Sequence, residues 1–165
     1  MIVLGIDPGT ATVGYGLVEE SQDGSLLAVE YGVIRTPPKI PMPERLAMIF
    51  DGVSDLVQQY QPERAAVEEL FFARNVTTAI TVSQARGVIL LALEKSAILI
   101  KEYKPNQVKQ SITGYGAADK HQMQEMVRIL LNLSSIPRPD DAADALAIAI
   151  TDINIGHAVG GYDLT

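Results

Sequence analysis

The strongest chemical signal in this 165-residue sequence is a set of carboxylates where apolar packing is expected. An apolar, β-branched run from Ile2 to Ile6 ends on Asp7 and turns at once through Pro8-Gly9. A second short apolar run, Ala65 to Val67, leads straight into Glu68 and Glu69. In the stretch DDAADALAIAITD, Asp144 is the only polar side chain from Ala142 to Ile150. Asp141 stands one helical turn earlier, about 60° away on a helix, so the two share a face. A charged group desolvated without a partner costs several kcal/mol or shifts its pKa, so these carboxylates need company. If the strand ending at Glu68 or Glu69 lies parallel to the first, one of those glutamates and Asp7 emerge at the same sheet edge, where open α/β sheets place their ligands. Four carboxylates then converge. Hard oxygen donors with no Cys or His nearby select Mg²⁺ or Mn²⁺. Two such ions about 4 Å apart can activate a water and stabilise the leaving oxygen in phosphodiester hydrolysis.

A simpler role competes for some of these residues. An acid near a helix N-terminus satisfies free N–H groups and the macrodipole. That explains Asp140, at a natural N-cap position, and explains Asp144, one turn inside an apolar helix, poorly. Spacing alone does not choose between Glu68 and Glu69, of which one should be buried and the other exposed, nor between Asp140 and Asp141.

The elements that must position these groups follow from periodicity. Ile2 to Ile6 reads as a central strand covered on both faces. Asp7-Pro8-Gly9-Thr10 has the type II turn pattern, with Gly9 supplying φ > 0. Val13 to Glu19 and Leu26 to Ile34 continue an antiparallel meander. Pro43 to Tyr60 is an amphipathic helix, Ala65 to Glu69 a strand, Thr77 to Lys95 a largely apolar helix and Ala97 to Tyr103 a strand. Ala118 to Leu133 opens with Asp119 and Gln122 at capping-box spacing, and Asp141 to Asn154 forms the last helix. Three antiparallel strands followed by alternating helices and strands predict an α/β fold, a mixed five-stranded sheet with helices on both faces. Residues 1–155 are expected to form one domain and 156–165 a flexible tail.

The chain is long enough to bury a single core without staples. Zero cysteines remove disulfides, thiolate zinc sites and cysteine nucleophiles together, which suits the cytoplasm. The start MIVLG lacks a signal-peptide pattern, and no apolar stretch is expected to reach the ~20 residues of a membrane span. The net charge of −7 argues against a nucleic-acid partner until its distribution is read. Residues 1–70 hold 4 basic and 11 acidic side chains, residues 71–128 hold 8 and 4, and residues 129–165 hold 1 and 5. A basic middle lies between acidic flanks.

Five segments in order, GIDPGTATVGYGLV, AVEELFFARN, SQARGVILLA, QVKQSITGYGAADKHQM and DDAADALAIAIT, resemble the motifs of the RuvC family of Holliday junction resolvases. The first alone also resembles the phosphate loop of actin-like ATPases; jointly the motifs are specific. The resemblance spans roughly residues 2–152. It implies a ribonuclease H-like fold, a homodimer, a RuvA–RuvB branch-migration complex as partner, and paired symmetric nicking of four-way DNA junctions with two Mg²⁺ ions per site, Mn²⁺ substituting. It implies catalytic and metal-binding roles for Asp7, Glu68, Asp141 and Asp144. It matches Lys109 and Lys120 to basic residues near the scissile strand, both expected to be solvated, and Phe71 to an aromatic wedge at the junction centre. Arg74, beside that aromatic, suits a phosphate contact. The chain departs from the pattern in its acidic balance and in lacking a basic C-terminal tail, which predicts salt-sensitive DNA binding. A different ribonuclease H-like nuclease is the nearest alternative; an actin-like ATPase fragment and a junction-binding module without chemistry are more distant ones.

Overall fold

The computed structural model describes residues 1–70 and 76–160, and a mixed five-stranded sheet divides them into two layers. Strands β1 (Ile2–Asp7), β2 (Thr12–Glu20) and β3 (Leu26–Arg35) form the meander. Helix α1 (Met42–Tyr60) then leads to β4 (Arg64–Glu68), and α2 (Val76–Lys95) to β5 (Leu99–Tyr103). Three helices follow: α3 (Pro105–Thr113), α4 (Lys120–Leu130) and α5 (Asp140–Gly160). The sheet order is β3-β2-β1-β4-β5. β1 pairs antiparallel with β2, and parallel with β4, which in turn is parallel to β5.

Strand alternation assigns each side chain to a layer. Leu4, Ile6, Ala65 and Val67 face α1 and α2, packing with Ile49, Val53, Ala85 and Ile89. Val3 and Ala66 point the other way, toward α3, α4 and α5, with Val108, Val127, Leu146 and Ile150. Asp7 lies four residues after Val3, and Glu68 two after Ala66. The period of two therefore sends both carboxylates to the α5 face, and because β1 and β4 are parallel with Ile6 opposite Val67, they emerge at one edge.

α5 reaches that face because of a glycine. Gly14 on β2 stands opposite Asp7, and a Cβ there would lie 2.1 Å from the carbonyl oxygen of Asp141. The first turn of α5 thus rests on bare backbone. Farther along, Asp152 is fully buried: Tyr103 Oη donates to its Oδ1 at 2.7 Å, and Arg64 Nε sits 2.7 Å from Oδ2 as an ion pair rather than an aligned hydrogen bond. The triad ties α5 to β4 and β5, and hydrogen bonding to Asp152 with burial raises the Tyr103 phenol above its ordinary pKa, burial being the larger cause. Asn154 Nδ2 donates to Ser111 Oγ at 3.3 Å and so joins α3 to α5.

Several expectations are corrected. Gly9 is not in the left-handed region, so the Asp7–Thr10 segment is no type II turn; glycine is needed because a Cβ would lie 2.1 Å from the Thr12 carbonyl oxygen. The last helix runs on to Gly160 rather than ending at Asn154, because Ile155 packs on the core, Gly156 lies against the Arg64 guanidinium, and His157 pairs with Glu20. Residues 156–160 are therefore helical, not a loose tail, and 161–165 lie outside the described residues. Helix α3 was not expected; it is short, starts at Pro105, buries Val108 and Ile112 and ends on Gly114 in the left-handed conformation. β5 begins at Leu99 rather than Ala97 because Ala97 has φ 55°. Finally, α2 is long and apolar enough, by length and composition, to cross a membrane, contrary to expectation. Ala85, Ile89, Ala92 and Leu93 bury one of its faces in the core, and Arg86 at mid-helix is ion-paired with Glu102 on β5.

Candidate active site

Asp7 from the end of β1 meets Asp141 and Asp144 from the first two turns of α5, with carboxylate oxygens all within 4.8 Å of one another. Three like charges at this distance repel strongly, and burial adds to the effect. Asp7 has its pKa raised well above the ordinary carboxylate value, by burial first and then by Glu68, Asp144 and Asp141, with Lys120 opposing. Asp144 is raised as well, mainly by burial, against the pull of Lys120. Glu68 is pushed up to about 7 by burial and by Asp144, with Lys109 working in the other direction. These four groups form one electrostatic unit.

The two glutamates at the end of β4 separate as neighbours on a strand must, although both are half-buried rather than one buried and one exposed. Glu68 lines a cleft of about 320 Å³ with Val108, Lys109, Lys120, Met123 and Asp144. Glu69 lines a different one with Ser83, Arg86 and Glu102. The backbone at this point is braced from α2, where Arg86 Nε donates to the Glu68 carbonyl at 3.4 Å.

Both lysines enter the same cleft. Lys109 comes from α3, which packs onto α5, and is half-buried as a residue. Lys120 opens α4, where Asp119 and Gln122 make the expected capping box: Asp119 Oδ1 accepts from the Gln122 backbone N–H at 2.9 Å, and Gln122 Oε1 accepts from Asp119 N–H at 2.9 Å. Its ammonium reaches Asp144 Oδ2 at 3.3 Å and Asp140 Oδ2 at 3.5 Å. Lys120 is exposed but not free. Burial disfavours its charge, yet Asp144 and Asp140 outweigh that and raise its pKa. Phe71 and Arg74 lie outside the described residues.

Sequence reasoning missed the support of the loop after Asp7. Thr36 is buried, donating its hydroxyl to the Thr10 carbonyl at 2.5 Å and accepting from Arg45 Nε at 2.9 Å. Its N–H also donates to the Ala11 carbonyl at 3.0 Å. A threonine just before Pro37-Pro38 carried no signal of that role. Asp140 opens α5, and its contact with Lys120 comes from the fold rather than from any spacing in the sequence.

The donor set fits a hard divalent cation. Carboxylate oxygens from two elements converge, no thiolate or imidazole is among them, and the raised proton affinities of Asp7 and Asp144 mark anionic charge that a cation would relieve.

Comparison with known proteins gives the same direction throughout. The family model described as crossover junction endodeoxyribonuclease RuvC matches residues 3–152. The protein of that name from Chloroflexus aggregans is 59% identical over 151 residues, covering 91% of each chain. The Thermus thermophilus RuvC structure superposes with a TM-score of 0.90 at 37% identity, over 96% of this chain and 97% of that one. A T. thermophilus RuvC structure in complex with Holliday junction substrate gives a TM-score of 0.91 at 37% identity, over 96% of each chain.

Proposed function

The chain belongs to the RuvC family of crossover junction endodeoxyribonucleases, and we propose that Asp7, Glu68, Asp141 and Asp144 are the ligands through which it nicks four-way DNA junctions. The observation that carries the assignment is the meeting of Asp7, Asp141 and Asp144 within 4.8 Å, with Glu68 on the parallel neighbouring strand at the same edge. Mg²⁺ is the ion we assign, two per site, with Mn²⁺ as a substitute. When bound, such ions activate a water and neutralise charge on the leaving oxygen.

The rest of the chemistry belongs to the chain. The rigid seat of α5 on β2 and the Tyr103–Asp152–Arg64 triad hold Asp141 and Asp144 in fixed relation to Asp7, which removes reorganisation at the moment of reaction. Lys109 and Lys120 supply positive charge to the scissile phosphate and its neighbours. Phe71 stacks in the opened junction centre and Arg74 contacts phosphate. The acidic net charge makes affinity dependent on this local basic set and therefore on salt.

The nuclease unit extends through α5 to Gly160, and the enzyme acts as a homodimer whose two-fold axis matches that of the junction, giving paired symmetric nicks. The exposed Val76, Ile80 and Leu91 on α2 supply part of the dimer contact. A RuvA–RuvB branch-migration complex is the partner, and the substrate sets the cytoplasm as location. The test is incubation with a synthetic four-way junction, linear duplex and RNA–DNA hybrid, each with Mg²⁺ or with EDTA. Symmetric nicks in the junction alone, only with Mg²⁺, are expected. Equal cutting of duplex or hybrid, or cutting in EDTA, overturns the assignment.

A further inference from the structure

Lys120 is a cation that the acidic cluster carries of its own, and it has two acceptors of different standing. Asp144, whose Oδ2 accepts its hydrogen bond at 3.3 Å, belongs to the converging trio. Asp140, with Oδ2 at 3.5 Å, does not belong to that trio. Asp140 is braced from behind by Arg138, which donates to its other carboxylate oxygen. The capping box of α4 fixes the start of the Lys120 stem, while the 55% exposure of the side chain leaves the ammonium able to move between its partners.

We propose that Lys120 and Asp140 form a counter-ion exchange pair: Lys120 neutralises Asp144 until a divalent ion binds there, and Asp140 then holds the displaced ammonium at the cleft mouth. Asp140 is a positioning residue, acting on the DNA only through Lys120. The inference rests on the reading of Asp7, Glu68, Asp141 and Asp144 as metal ligands. It gives the acid beside the trio a role beyond favouring the helix macrodipole, one that offsets the repulsion its charge adds to the cluster. It also makes metal binding and the aiming of a phosphate-binding lysine one coupled event.

The test is a double-mutant cycle on Mn²⁺ affinity, measured by titration calorimetry of the full chain without DNA. Lys120→Met should bind Mn²⁺ about 3–10-fold more tightly, because a screened, half-exposed competing charge is lost. Asp140→Asn should bind it about 3–10-fold more weakly, since the ammonium is left with Asp144 alone. In the Lys120→Met background the same Asp140→Asn change should lose most of its effect. Asp140→Glu should restore wild-type affinity. If Asp140→Asn weakens binding equally in both backgrounds, it acts as a general charge and the exchange is refuted. Weaker binding by Lys120→Met refutes it too. Failure of the underlying metal-site reading looks different: wild type takes up no Mn²⁺, or Asp144→Asn binds it as tightly as wild type.

Discussion

Replacing Gly14 by alanine should displace the first turn of α5 and spoil the site without touching a carboxylate. The new Cβ would sit 2.1 Å from the Asp141 carbonyl oxygen and 2.6 Å from its carbonyl carbon. An ordinary contact is about 3.4 Å or more, so the helix backbone has to retreat by roughly 1 Å. Backbone cannot swing aside as the end of a side chain can. Overpacking of this kind costs about 1–3 kcal/mol, which for a chain of this size lowers Tm by roughly 2–10 °C. The larger effect falls on function. Asp141 carries the clashing carbonyl and Asp144 follows one turn later, so both ligands shift against Asp7, and a misplacement near 1 Å can cost on the order of 100-fold in rate. Urea unfolding gives the first quantity and single-turnover cleavage of a junction in Mg²⁺ the second. A Gly14→Ala protein that cuts at the parental rate with parental stability would refute the seating of α5 on β2.

The ordinary Glu68 carboxyl value is 4.5 and the folded protein raises it to about 7, so the folded state binds the extra proton across that interval. Stability without divalent ions should therefore be highest below about pH 4.5 for this group and be lost as pH rises through about 7; Glu68→Gln should flatten that slope in urea titrations, and Mg²⁺ should abolish it. An unchanged slope in the variant would remove Glu68 from the electrostatic unit. Asp152→Asn should destabilise by about 3–5 kcal/mol, because it leaves the Arg64 guanidinium uncompensated in the interior; a urea midpoint near the parental one would show the triad to be dispensable. Ile80→Glu with Leu91→Glu should convert the proposed dimer to monomer in sedimentation velocity, while a wild type that is already monomeric at micromolar concentration would contradict the role given to α2.

Asp7 and Asp144 were visible in the sequence because each is a carboxylate at the end of, or inside, an apolar run, where only a partner makes it tolerable; at the end of β4 the same pattern left Glu68 and Glu69 open, and the family resemblance chose Glu68. Their convergence depends on β1 and β4 being parallel, which the sequence offered only as a condition and the fold supplies. The conditions that hold them there were not legible in this way. Gly14 matters through the distance from β2 to α5, and glycine in a strand has many other meanings. Asp152 sits in the same helix as Asp144, but its partners Tyr103 and Arg64 lie on strands distant in sequence, so nothing local separates a buried triad from a surface acid. Helix α3 was missed because nine residues carry little periodic signal, although Pro105, the Val108 and Ile112 pair and Gly114 are its start, face and stop. The continuation of α5 to Gly160 depends on tertiary contacts to Glu20 and Arg64. Side-chain exchange between Lys120, Asp140 and Asp144 is a matter of ångströms, beyond any spacing rule.

The assignment of the acidic cluster as the metal site is tested most directly by Asp144→Asn, which keeps the shape and removes one charge. Its partly exposed ion pair with Lys120 is worth little, on the order of 0–1 kcal/mol, whereas relief of repulsion toward Asp7, Glu68 and Asp141 favours the neutral side chain. Melting in EDTA should therefore give a Tm equal to or above that of the wild type. Single-turnover cutting of a four-way junction in Mg²⁺ should at the same time fall by orders of magnitude, as a metal loses an anionic ligand. A variant that melts earlier in EDTA and still cuts junctions at the wild-type rate in Mg²⁺ would contradict it.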